Sequence, residues 1–195
     1  MKMNLPNKLT ILRIIMTPVF LITLLCDFPF HYLVAMLIFI AASITDFIDG
    51  KIARSQNLIT NFGKFMDPLA DKMLTTAAFL GFITLNIGSG VVWITFIVLI
   101  REFLMTSLRL SAATTGTVIA ANMWGKAKTV CQMIAIIFGL FSQIIIFDLG
   151  VGTSSVFGIL LSSLTTALLW LSAVLTVISG VFYVVDNRAC IDTNN

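Results

Sequence analysis

The stretch DFIDGKIARSQNLITNFGKFMDPLAD, Asp46 to Asp71, holds four of the chain's nine acidic residues in 26 positions. Long apolar runs flank it on both sides, so its charges mark a connection between two water-avoiding segments. Asp46 and Asp49 are three residues apart. On a helix they differ by about 60° and roughly 4.5 Å of rise. Asp67 and Asp71 are four apart, about 40° and 6 Å on the same geometry. Each pair presents two carboxylates from one helix face, and the returning chain can set the pairs against each other across a helix–helix groove.

The surrounding chain defines the solvent for that groove. Of 195 residues, 58% are hydrophobic and only 11% are charged, with mean hydropathy +1.04. Ordinary soluble domains carry about 25% charged residues, so this composition excludes a soluble fold of this size, and disorder with it. A spanning helix needs about 20 mainly apolar residues. Six segments qualify: Leu9–Leu25, Tyr32–Ala53, Leu69–Leu85, Val91–Leu110, Thr129–Phe147 and Ser155–Val185. The expected fold is an all-α membrane protein of six transmembrane helices, a single domain over 1–195. Three widely separated cysteines and a single histidine make neither a disulfide framework nor a Cys/His metal site. Nothing points to nucleic acid.

Charge sets the orientation. The connections Cys26–His31, Asn86–Gly90 and Asp148–Thr153 contain no Lys or Arg, whereas basic residues collect at Lys2, Lys8, Lys51, Arg54, Lys64, Lys126, Lys128 and Arg188. The positive-inside rule puts both termini and the aspartate-bearing connection in the cytoplasm.

Several roles compete for the aspartates. Asp67 before Pro68 has the form of a helix N-cap. Asp46 and Asp49 do not, because they fall in the last turns of a helix, where the macrodipole disfavours carboxylates. Ion pairs with Arg54, Lys64 or Lys72 are a second role. Four converging carboxylates repel one another unless cations neutralise them, and an all-oxygen donor set suits Mg²⁺ or Mn²⁺. Two such ions can clamp a phosphate during displacement, leaving a carboxylate to accept a proton from an attacking hydroxyl. Gly50, Ala53 and Gly63 would let a ligand approach the helices closely, although small residues also serve helix packing.

The pattern D-x-x-D-G-x-x-A-R, eight residues, then G-x-x-x-D-x-x-x-D resembles the signature of the CDP-alcohol phosphatidyltransferases. Asp46, Asp49, Gly50, Ala53, Arg54, Gly63, Asp67 and Asp71 fill all eight fixed positions. The resemblance implies transfer of a phosphatidyl group from a CDP-linked lipid to an alcohol, with release of CMP. It implies two metal ions on Asp46, Asp49 and Asp67, with Asp71 as proton acceptor that also touches a metal. It implies a CDP-lipid site drawing on Asn7, Thr10, Gly50, Ala53, Arg54, Thr60 and Gly63. A homodimer in a bacterial inner membrane, in contact with membrane lipids, is implied as well.

The opening Asn4–Arg13 with Pro18, the stretch Arg101-Glu102 to Arg109, and Gly125 to Gln132 are similar to the bacterial branch whose acceptor is sn-glycerol 3-phosphate. That reaction gives phosphatidylglycerophosphate from CDP-diacylglycerol. A phosphate dianion needs fixed positive charge, and Arg101, Arg109, Lys126 and Lys128 are the candidates. Ionisable groups in mid-helix are costly and usually functional, though helix contacts and snorkelling lysines are the plainer role. Inositol phosphate, serine or phosphatidylglycerol as acceptor would keep the same chemistry. A cation transporter would need ionisable groups along a path to the far side, where only Asp27 and Asp148 lie.

Overall fold

The computed structural model describes residues 5–55, 61–114 and 123–186, with the side chains of Leu5, Pro6, 47–65, Asp67, Pro68, Asp71 and Arg109–Thr114 outside the described set. It is all-helical among the described residues. The helices are α1 (Leu5–Leu25), α2 (His31–Ser55), α3 (Asn61–Thr84), α4 (Val91–Thr114), α5 (Met123–Gln143) and α6 (Val156–Asp186). A single π-helical turn, Ile144–Asp148, extends α5.

Four stretches are long and apolar enough to cross a membrane: Asn7–Leu25, Val91–Leu108, Met123–Asp148 and Val156–Asp186. Within α2 and α3 the described apolar parts are shorter, His31–Asp46 and Lys72–Thr84. Large apolar side chains stand exposed around the bundle, among them Ile22, Trp93, Phe96, Phe103, Ile159 and Leu160. In water such a surface would be an aggregation site; in a bilayer it is the solvated face.

Two helices start well before the expected apolar runs. Helix α3 begins at Asn61 rather than Leu69, and α5 at Met123 rather than Thr129. Asp67 and Pro68 therefore lie inside α3, past its first turn, and the N-cap role for Asp67 falls away. Hydropathy marks where apolar runs begin, but a helix entering from an interface forms its first turns from polar residues.

The core runs along the bundle through Phe20 and Leu24 of α1, Phe39 and Ala42 of α2, Ala78 and Phe82 of α3, Ile94 of α4, Ile136 and Leu140 of α5, and Leu169 of α6. Helix α1 packs on α2 and α3, and α6 packs on α4 and α5. Lipid supplies no hydrophobic drive between helices, so close approach matters. A Cβ at Gly139 would come 2.7 Å from the Phe82 ring, which is why that ring can lie against α5.

One end is closed by short loops. The Asp148 Oδ2 accepts the Leu33 N–H at 3.2 Å, supplying a partner to the first turn of α2. Ser89, between α3 and α4, donates its N–H to Thr166 Oγ1 at 3.2 Å and accepts the Trp170 indole N–H at 3.1 Å. Gly88 and Gly90 flank it with φ of +89° and +74°, left-handed conformations that side chains resist. On α6, Thr165 is buried and bonds Ser142, while Ser162 and Ser163 are exposed.

Candidate active site

The opposite end of the bundle carries the chemistry-bearing residues. Asp46 and Asp49 belong to the C-terminal part of α2, and Asp67 and Asp71 to the N-terminal part of α3. The two helices are joined by residues 56–60, so the aspartate pairs lie at the same end of consecutive helices. Thr60 lies outside the described residues. The backbones of Asp49, Gly50, Ala53, Arg54, Gly63, Asp67, Asp71 and Arg109 are helical, and their side chains are outside the described set.

Asp46 does have a described partner. Arg13 Nη1 of α1 lies 2.5 Å from its Oδ1, with the Arg13 side chain 1% exposed and the Asp46 side chain 45% exposed. The sequence offers Arg54, Lys64 and Lys72 for such a pair; the described cation at Asp46 is Arg13 of α1, and the Arg54 and Lys64 side chains lie outside the described set. Arg13 belongs to a buried polar stripe with Asn7, Thr10 and Thr17. These positions recur at near-helical spacing, so one face of α1 is polar inside an otherwise apolar bundle. Asn7 and Thr10, expected at the CDP-lipid site, share that face with the arginine that holds Asp46. Thr17 donates its hydroxyl to the Arg13 carbonyl at 2.9 Å, one residue before Pro18, whose ring removes a backbone donor from the helix.

A second polar centre is built around Glu102 in α4. Lys128 Nζ from α5 bonds Oε1, Arg101 Nη1 lies 3.2 Å from the same oxygen, and Lys72 Nζ from α3 lies 3.9 Å from Oε2. Lys72 also donates to the Thr106 hydroxyl. Arg101 Nη2 reaches Ser179 of α6 at 2.7 Å. Lys128 lies 3.5 Å from Gln132 Oε1, and Gln132 Nε2 donates to Thr176 Oγ1 at 3.3 Å. Arg101 and Lys128, expected to share a site, do meet at Glu102. Lys126 is exposed and stands apart from this network.

Ser179, Thr176 and the Arg13–Asp46 pair escaped the sequence, and Lys72, expected as a partner of the aspartates, meets Glu102. Ser172, Thr176, Ser179 and Tyr183 are buried at four-, three- and four-residue intervals, a signal a search for helical polar stripes would have found. Beside Arg101 a cleft of about 490 Å³ opens between α4 and α6, lined by Phe96, Ile100, Leu104, Val181 and Val184.

The donor chemistry fits a divalent cation: four carboxylates, paired at i, i+3 and i, i+4 on helices, with no soft ligand among them. No three-residue His/Cys/Asp/Glu group suited to a metal occurs among the described residues, a set that omits three of the four aspartate side chains.

Residues 3–181 match the family model for CDP-alcohol phosphatidyltransferase. The chain is 38% identical to a CDP-diacylglycerol–glycerol-3-phosphate 3-phosphatidyltransferase of Bacillus subtilis, over 98% of this chain and 99% of that one. It is 37% identical to the protein of the same name from Rickettsia bellii, over 92% and 93%. A probable phosphatidylglycerophosphate synthase of Mycobacterium tuberculosis shares 45% identity over 71% of this chain and 65% of its own. With its signature aspartates on α2 and α3 and a match spanning nearly its whole length, the chain belongs to the CDP-alcohol phosphatidyltransferase family.

Proposed function

We propose that this chain transfers the phosphatidyl group of CDP-diacylglycerol to sn-glycerol 3-phosphate, giving phosphatidylglycerophosphate and CMP. The observation that carries this reading is near-full-length similarity to proteins named for that reaction, joined to an intact eight-position signature. The protein is a multi-pass membrane enzyme. All six helices span the bacterial inner membrane, both termini and the aspartates face the cytoplasm, and the chain works as a homodimer. Basic residues at one end and none in the opposite loops support that orientation.

Asp46, Asp49, Asp67 and Asp71 would hold two ions, Mg²⁺ or Mn²⁺, which when bound neutralise the pyrophosphate and the charge on the leaving oxygen. Arg13 orients Asp46 and offsets its charge before any ligand arrives. Asn7, Thr10, Gly50, Ala53, Arg54, Thr60 and Gly63 form the CDP-lipid site. Asp71 accepts the proton of the acceptor hydroxyl as its oxygen bonds the phosphatidyl phosphorus. The bond from that phosphorus to the CMP oxygen breaks, and CMP leaves. Arg101, Arg109, Lys126 and Lys128 supply the positive charge that recognises the acceptor's phosphate. A soluble acceptor and a lipid donor need a site open to both phases, which an interfacial end of the bundle gives.

The test is purified protein in detergent with CDP-diacylglycerol, Mg²⁺ and one acceptor at a time, followed by mass spectrometry of CMP and lipid. Phosphatidylglycerophosphate should appear only with glycerol 3-phosphate, and Asp46→Ala should abolish it. CMP release with inositol phosphate, serine or phosphatidylglycerol alone would overturn the acceptor assignment.

A further inference from the structure

The Glu102 cluster contains more than a structural tie between two helices needs. One partner would join α4 to α5, yet a single carboxylate meets Lys72 of α3, Arg101 of its own helix and Lys128 of α5. Like charges brought to one point repel, and in a segment sheltered from water the repulsion is strong. Glu102 supplies the attraction that holds them convergent. Arg101 is braced from behind by Ser179, and Lys128 by Gln132 and Thr176. The cations thus have fixed directions as well as a shared focus. The guanidinium is not saturated: Arg101 Nε is buried with no hydrogen-bond partner. Nor is the cluster sealed, because the Lys72 side chain is 32% exposed and that of Glu102 19%.

Lys72 adds a positional fact. It follows Asp71 directly on α3, and its ammonium is pinned by the Glu102 carboxylate, the Thr106 hydroxyl and, at 3.5 Å, the Glu102 carbonyl. A cation on the helix of the proposed proton acceptor is thereby fixed relative to cations on α4 and α5.

We infer that Glu102 is a positioning residue for the acceptor's phosphate, and that Lys72 joins Arg101 and Lys128 as a cationic group of that site. This rests on the reaction proposed above. Glu102 touches no substrate in this account. It preorganises three cations so that a phosphate dianion meets them already convergent, and Lys72 would exchange its long 3.5 Å contact to the Glu102 carbonyl for a phosphate oxygen.

The experiment is steady-state kinetics of the full chain in mixed micelles, varying CDP-diacylglycerol and glycerol 3-phosphate separately. Glu102→Gln keeps the shape and removes the charge. Its KM for glycerol 3-phosphate should rise about tenfold or more, the scale of one charge-assisted hydrogen bond, with the KM for the lipid nearly unchanged. Glu102→Asp should recover part of the loss. Lys72→Gln should raise the acceptor KM in the same selective way, and Lys72→Arg should restore it. If Glu102→Gln does not fold, the Lys72 pair decides alone, since that side chain is partly exposed. Equal effects on both substrates, or tighter acceptor binding in Glu102→Gln, would overturn the inference. Wild-type protein that ignores glycerol 3-phosphate would instead overturn the proposed reaction, so the two failures are distinguishable.

Discussion

The two ends of the bundle use polar groups for opposite purposes. At the short-loop end, Asp148, Ser89, Thr166 and Trp170 all bond backbone or loop atoms. Those contacts finish helices and close turns, and no Lys or Arg is needed there. Toward the other end, Arg13 with Asp46 and Glu102 with Lys72 and Lys128 are ions bonded to ions across helices, and Arg101 joins Glu102 from the same helix. Burying a charge is costly even when paired, so such pairs are poor as fasteners. A bundle that closes one end without an ion pair among the described residues, and yet concentrates ion pairs toward the other, has the charge distribution that the proposed reaction, with its charged ligands, calls for.

Substitutions that break this contrast rank by end. The largest loss should come from Asp71→Asn, which removes the proposed proton acceptor. Turnover should fall about 10²- to 10⁴-fold while CDP-lipid binding, followed by protection against thermal unfolding, is retained; equal loss of binding would sink its assignment. Arg109→Ala comes next, with an expected rise of about tenfold in the KM for glycerol 3-phosphate and little change for the lipid. A uniform effect would mark Arg109 as structural.

Away from the ion pairs the effects should appear in stability alone. Gly139→Ala pushes a methyl group into the Phe82 ring, and overpacking of this kind costs about 1–3 kcal/mol. The melting temperature in detergent should drop while both KM values hold. Asp148→Ala removes the partner of the Leu33 N–H at a cost of about 1 kcal/mol, the usual scale for a lost helix-terminal acceptor. If it altered acceptor KM as strongly as Arg109→Ala, the division of labour between the ends would be wrong.

Much of this was legible before any coordinates. Runs of about 20 apolar residues located the helices, and Gly88, Gly90, Gly150 and Gly152, all with positive φ, sit in breaks the sequence marked. The spacing of Asp46, Asp49, Asp67 and Asp71 put the carboxylates on helix faces without reference to any fold. What was not legible was rotation. That Asp46 meets Arg13 on another helix depends on how α1 turns about its axis, and the mostly apolar sequence of α1 leaves only the stripe Asn7, Thr10, Arg13 and Thr17 to mark its inward face. For the same reason Lys72 reads from sequence as a partner for the aspartates, and its described partners are Glu102 and Thr106 on α4. Helix starts were missed because Asn61 and Met123 open helical turns containing polar residues, which hydropathy alone reads as loop.

The π-helical turn at Ile144–Asp148 has a consequence for insertions and deletions. Such a turn closes its backbone ring over five residues instead of four, as the Leu149 N–H to Ile144 carbonyl bond of 2.9 Å shows. It holds one residue more than an uninterrupted α-helix would at that point. Deleting a single residue from this stretch could therefore be absorbed by reversion to ordinary helix, leaving α5 and α6 in register with their neighbours. The same deletion in the middle of α5 would rotate everything beyond it by about 100° and carry Asp148 away from Leu33. Length variation among chains built this way should be tolerated at that turn and selected against a few residues earlier.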